Sequence, residues 1–371
     1  MSMRRKLSAS IALALTLTML MTLVASAQEV TYPTGAAQFR DENAASDSLV
    51  VDIDLGPSGG TLSPGSQYEG WLVDIAGNKV STGTYGRDAE LIDTYVDPEG
   101  ANLLAMYPTF VVTIEPNPDD DPEPSGDVAY GASVPIVVNY WSTQLTSPGG
   151  PAKGIHDQAM MAHMYAQNAQ VDGLGLDDLK VIAQSVVNLI EGSAGENYNA
   201  EGEGVAAGDG LGVMGHAPAA RELADKAKAG SGDNRGIEDT ADEVSLATSN
   251  TVKEARRVRD KALLIIEATT LNFSVGKEVE NLLLLSTRML NGVDADGKDG
   301  PGSTGSEGGA RTVYEKSQDL NQFEVEHGEP PAAGDSTLPT LMLAALAAGA
   351  LMLAAGALLV FRSRRAAAAV A

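Results

Sequence analysis

The chain contains no cysteine. That excludes disulfides, thiolate zinc sites and a thiol nucleophile. A secreted chain of this kind must hold its domains by ordinary hydrophobic cores, which fits a bacterial envelope. Aromatics are scarce, with five phenylalanines and two tryptophans. Little is left for a sugar-stacking surface; Tyr140-Trp141 is the one candidate spot, and its other reading is a hydrophobic seam between domains. Basic residues are short as well, 25 against 50 acidic ones, for a net charge of −25. So acidic a surface repels nucleic acid and attracts cations and basic partners. P-loop and H-E-x-x-H motifs are both absent. Gly202-x-Gly204 follows no predicted strand and opens no helix, so it is no dinucleotide site. Acids abound, but no glycosidase pair stands out among them.

Both ends are hydrophobic. Residues 1–27 begin with Arg4, Arg5 and Lys6, continue through an apolar run from Ile11 to Val24, and end on Ala25-Ser26-Ala27. This is the pattern of a cleaved signal peptide. Leu341 to Phe361 is an uncharged run long enough to span a bilayer as a helix, and Arg362, Arg364 and Arg365 follow it. The arginines place the tail, 362–371, in the cytoplasm. The expected localisation is a bacterial cell membrane, with one C-terminal transmembrane helix and the ectodomain outside. Between these segments lie all 50 acidic residues and 19 basic ones, a formal −31. Leu338-Pro339-Thr340 resembles a cell-wall sorting signal. That motif continues with Thr-Gly where Leu341-Met342 stand, so membrane retention is expected rather than wall attachment.

Gln28 to Ser46 reads as a loose lead-in. Leu49, Val51, Ile53 and Leu55 then alternate with Val50, Asp52 and Asp54, a half-buried strand. Further strands are predicted over 68–75, 79–85, 110–115 and 134–140, with Ala76-Gly77-Asn78 as a hairpin turn. Short strands with regular turn signals indicate a β-sandwich over 47–140. Residues 47–138 resemble the extracytoplasmic domain of anti-sigma-K-type factors. The likeness rests on Leu62-Ser63-Pro64-Gly65, Tyr68, Trp71-Leu72-Val73-Asp74, Gly77 and Gly83-Thr84-Tyr85, and continues with Val111 to Pro116, Pro122, Pro124 and Gly126. Such factors hold sigma through a cytoplasmic domain ahead of a span. This chain has the opposite orientation and no such domain, so the resemblance implies an outer module without sigma-factor binding.

Ser147-Pro148-Gly149-Gly150-Pro151 marks a linker, 141–154, after which the period becomes helical. Six helices are predicted over 155–325. Val186 to Gly192 and Ser286 to Gly292 each lead into an acidic, glycine-rich loop and then a small-residue helix. The fold class expected is therefore multidomain, all-β plus all-α: a β-sandwich, then a helical bundle of two helix–acidic loop–helix repeats. Residues 153–325 resemble repeated helical surface modules of bacterial envelope proteins, through Asp294-Ala295-Asp296-Gly297 and Glu307-Gly308-Gly309-Ala310. This resemblance supplies architecture and no activity. A proline-containing stalk, 326–340, leads to the membrane.

Calcium takes six to eight oxygens, with glycine to turn the loop. Asp294, Asp296, Asp299 and Glu307 are the candidate metal ligands, although Lys298 and Gly305 stand where an EF-type loop needs oxygens. The other reading is a solvated acidic loop. The first loop offers Glu196, Asn199, Glu201, Glu203 and Asp209. His156 and His163, with Met160 between them on one helix face, and His216 could approach a metal or haem, or be plain polar residues. Three functions stay open. One is a membrane-anchored, non-catalytic binding or sensing module using calcium. Another is a purely structural surface or spacer protein without metal. The third is an envelope enzyme. The expectation is no enzyme and no nucleic acid, with a basic or envelope protein as partner and the ligand open.

Overall fold

The computed structural model describes residues 34–54, 62–85, 90–232, 234–293 and 307–327. The signal segment, the loop from Asp294 to Gly300, Leu338-Pro339-Thr340, the apolar run 341–361 and the tail lie outside these. Among the described residues no helix is long and apolar enough to cross a membrane.

Two antiparallel sheets form from strands whose inward residues are large and apolar. The first has the order β5-β2-β1-β8, where β1 is Thr34–Arg40, β2 is Ser48–Asp54, β5 is Glu90–Val96 and β8 is Phe323–Glu324. The second runs β4-β3-β6-β7-β9, with β3 Ser66–Val73, β4 Lys79–Tyr85, β6 Thr109–Pro116, β7 Val128–Ser133 and β9 Glu326–His327. In β2 the predicted alternation holds: Leu49, Val51 and Ile53 are buried while Asp52 and Asp54 are exposed. Phe323 joins the layers, its ring 5.5 Å from Phe39 of the first sheet and 6.0 Å from Phe110 of the second.

Three sequence expectations change. The lead-in holds strand β1, paired along its whole length with β2. Its Gly35-Ala36-Ala37 has little strand propensity, and the pairing comes from burying Ala37 and Phe39. The strand expected at 134–140 is instead the start of helix α2, Ile136–Thr146, which follows a four-residue helix α1, Leu103–Met106. Ile136-Val137-Val138 favours a strand by composition. Yet Pro135 precedes the first turn, where its missing N–H costs nothing, and Val137, Val138, Ser142 and Leu145 share a buried face. The expected linker is the second half of α2, a tight corner at Ser147–Gly150, and the start of α3, Pro151–Asn168. Pro151 stands at the first position of α3, and Gly150 approaches Gln144 O and Leu145 O too closely for any Cβ.

The predicted helices follow as α4 (Leu176–Glu191), α5 (Gly212–Ala229), α6 (Arg235–Glu267), α7 (Phe273–Asn291) and α8 (Ala310–Asp319). The longest, α6, has 33 residues, about 50 Å. Its buried stripe of Ala241, Val244, Ala247, Thr251, Ala255, Val258 and Ala262 is mostly small, and α4, α5, α7 and α8 all pack on it. The helices and sheets are not simply consecutive. From α8 the chain returns to the sheets, adding β8 beside β1 and β9 beside β7. The expected stalk thus begins, at 326–327, as strand β9.

Candidate functional site

The first acidic loop, 193–211, joins α4 to α5 and is fastened by α4 itself. The Asn188 amide donates to Asn199 O at 2.7 Å and Ala206 O at 2.9 Å, and its oxygen accepts from Asn199 N. Gln184 donates to Asn197 O, and Ser185 Oγ accepts from Ala206 N. The buried Glu191 carboxylate accepts from the backbone and side chain of Asn197 at 2.8 and 2.9 Å and faces Arg259 at 3.4 Å. Glu196, Glu201 and Glu203 are exposed.

Asp209 closes the loop. One of its oxygens accepts from Leu211 N and Gly212 N, both at 2.9 Å, satisfying free donors at the start of α5. The other lies 2.6 Å from Nε2 of the buried His216, whose ring packs against Gly154 of α3. Burial raises the Asp209 carboxyl, but the His216 ring and the Gly212 and Leu211 N–H groups outweigh it and hold the group below the usual carboxylate range. This cap starts α5 at Gly212 rather than at Pro218, where helix-start rules alone would put it.

Both loops spring from the same backbone turn. Gly192 after α4 has φ 69°, ψ 179°, and Gly292 after α7 has φ 84°, ψ −170°. Gly212 then meets Gly192 N and Ile190 O, as Gly309, just before α8, meets Gly292 N and Leu290 O. Of the predicted calcium ligands, Asp294, Asp296 and Asp299 lie outside the described residues. Glu307 is buried at the foot of α8.

The structure does not bring the histidines together. His156 Nδ1 lies 3.2 Å from Asp157, and its ring stacks on Tyr314 at 5.5 Å. His163 sits between Gln167 and Ser286. Gln167 Nε2 lies 2.9 Å from the ring Nε2 and Ser286 Oγ 3.2 Å from the ring Nδ1, while the serine hydroxyl donates to Leu283 O. Burial lowers the pKa of His163. Among the described residues no three His, Asp or Glu are grouped to hold a metal.

Sequence reasoning missed a seam between sheets and helices. Asp41, after β1, accepts from Tyr314 Oη at 3.0 Å, Gln318 Nε2 at 2.7 Å and Ser46 N at 2.8 Å. Burial, then the Asp41 charge, pushes the Tyr314 phenol well above its ordinary pKa. Arg40 and Asp319 pair alongside at 2.8 Å. Tyr314 and Gln318 lie more than 270 residues from Asp41 in the chain, so no local pattern signals them.

One open slot carries an aromatic. Trp141 of α2 lines a cavity of about 370 Å³ with Gln144, Pro148, Pro151, Glu222 and Leu223. Tyr140 meets the indole edge-on at 4.6 Å, and Lys226 of α5 stands over its ring at 4.9 Å. Glu222 pairs with Lys226 at 2.7 Å. Tyr140-Trp141 was legible in the sequence; its partners from α5 were not. No family model, curated protein or solved structure matches the chain.

Proposed function

We propose that the chain is a membrane-anchored bacterial surface protein, its ectodomain a non-catalytic binding module and its site the slot at Trp141. One observation carries this reading. His156, His163, His216 and Glu191 each have intramolecular partners, whereas a partly exposed tryptophan, braced by Tyr140 and Lys226, faces an open cavity. The leader and the apolar run from Leu341 to Phe361 support the anchor. The twin turns at Gly192 and Gly292 support two copies of a helix–acidic loop–helix unit, with calcium reserved for the second loop. We read the likeness to anti-sigma-K-type outer domains as reuse of a module, without sigma-factor binding. The length of α6 favours a second reading, a structural spacer.

Proteoliposomes carrying the full chain should co-sediment with washed bacterial cell-wall fragments, and Trp141→Ala should abolish this. Failure to sediment, or sedimentation indifferent to Trp141, overturns the binding role and leaves the spacer.

A further inference from the structure

We propose that the Trp141 slot takes a neutral saccharide, one or two sugar rings in size. This inference rests on the reading of the slot as the binding site. The cavity, about 370 Å³, falls at the small end of ligand pockets, which run from about 300 to 1,000 Å³.

The charges around it select against ions. Lys226, which is not among the residues lining the cavity, already stands over the indole as a cation. Glu222 neutralises that lysine at 2.7 Å and sets a carboxylate at the rim, where an anion would be repelled. The chain's net charge of −25 adds to the repulsion.

The geometry selects against an extended peptide. Proline-rich segments dock into grooves lined by aromatics. Here Tyr140 stands at 71° to Trp141, so the pair forms no row of parallel faces. A single rigid indole, with Pro148, Pro151 and Leu223 as apolar walls, suits the C–H face of one ring. Gln144 and Ser147 supply donors and acceptors and Glu222 an acceptor for hydroxyls around that ring's edge.

The chain carries its own reporter. Of its two tryptophans, Trp71 is 3 % exposed, with Nε1 donating to Thr113 Oγ1 at 2.9 Å. Trp141 is the one a ligand in the slot would touch. The full chain, in a detergent without a sugar headgroup, would be titrated with cellobiose, maltose, diacetylchitobiose and hexaproline while tryptophan emission is followed. At least one disaccharide should change the emission with a Kd of about 1 mM, and hexaproline should not. Gln144→Ala, an exposed change that keeps the reporter, should weaken that Kd about five- to tenfold, as should Glu222→Gln. Silence of all three sugars at about 50 mM overturns the inference, as does a response to hexaproline or a Kd untouched by both variants. If wall sedimentation still depends on Trp141 while every sugar is silent, the ligand class is wrong and the binding role stands. If both fail, the site itself is wrong.

Discussion

Placing alanine at Gly309 and at Gly212 tests whether the two helix–loop–helix units are the same joint. A Cβ at Gly309 would overlap Gly292 N and stand 2.7 Å from Leu290 O and 2.9 Å from Asn291 C. At Gly212 it would stand 2.6 Å from Gly192 N, 2.8 Å from Ile190 O and 2.9 Å from Ile190 C. All of these are backbone atoms, so no side chain can swing away and the helix ends must separate. Overpacking of this kind costs about 1–3 kcal/mol. Gly309 has φ −112°, open to any residue, so its cost is packing alone. Gly212 has φ +65°, which adds about 1–2 kcal/mol for an L-residue. Gly309→Ala should therefore lower the Tm of the full chain by about 3–9 °C, and Gly212→Ala by several degrees more. Differential scanning calorimetry with urea titration would measure both. A Gly309→Ala protein as stable as the wild type, or one less stable than Gly212→Ala, would refute the reasoning.

Two other perturbations address the loops. If the second loop holds calcium, saturating calcium against EDTA raises the stability of the full chain by about 2.7 kcal/mol at 100 times Kd, and replacing Asp294 and Asp296 by alanine removes the gain; no difference between calcium and EDTA ends the calcium reading. For the first loop, a carboxyl held low in the fold lends stability that is complete above its unfolded pKa, about 4, and is lost as pH falls through the lower folded value. His216→Ala should cost about 2 kcal/mol at neutral pH, and Asp209→Asn should flatten the fall of Tm between about pH 5 and 2. Identical acid limbs in Asp209→Asn and wild type contradict the latch.

Local pattern revealed what local forces decide. The alternation of Leu49, Val51 and Ile53 gave β2, and the stripe from Val244 to Ile265 gave most of α6. The Gly192 and Gly292 pair marked two helix ends that the structure places in matching turns. Where packing overrode propensity, pattern misled: Ile136-Val137-Val138 is helical because Val137 and Val138 are buried on a helix face. What depended on distant partners left no trace. Trp141 was visible, but its lysine and carboxylate come from α5, and Asp41 gives no hint of Tyr314. A carboxylate count does not say which acids already have partners. Glu191, at the end of α4 and outside the candidate set, is tied to Asn197 and Arg259, as Asp209 is to Leu211, Gly212 and His216.

The return of the chain to its sheets sets an order of events. Gln38 of β1 bonds Gln322 at 2.8 Å, yet they stand 284 residues apart. During synthesis β1 can pair with β2 at once, but its other edge stays open until α8 has emerged. The cleft between Phe39 and Phe110 waits equally long for Phe323. Contacts of such separation form late, and an open strand edge invites wrong pairing meanwhile. The helices can assemble from nearer neighbours, so the part of the protein begun first is the part completed last.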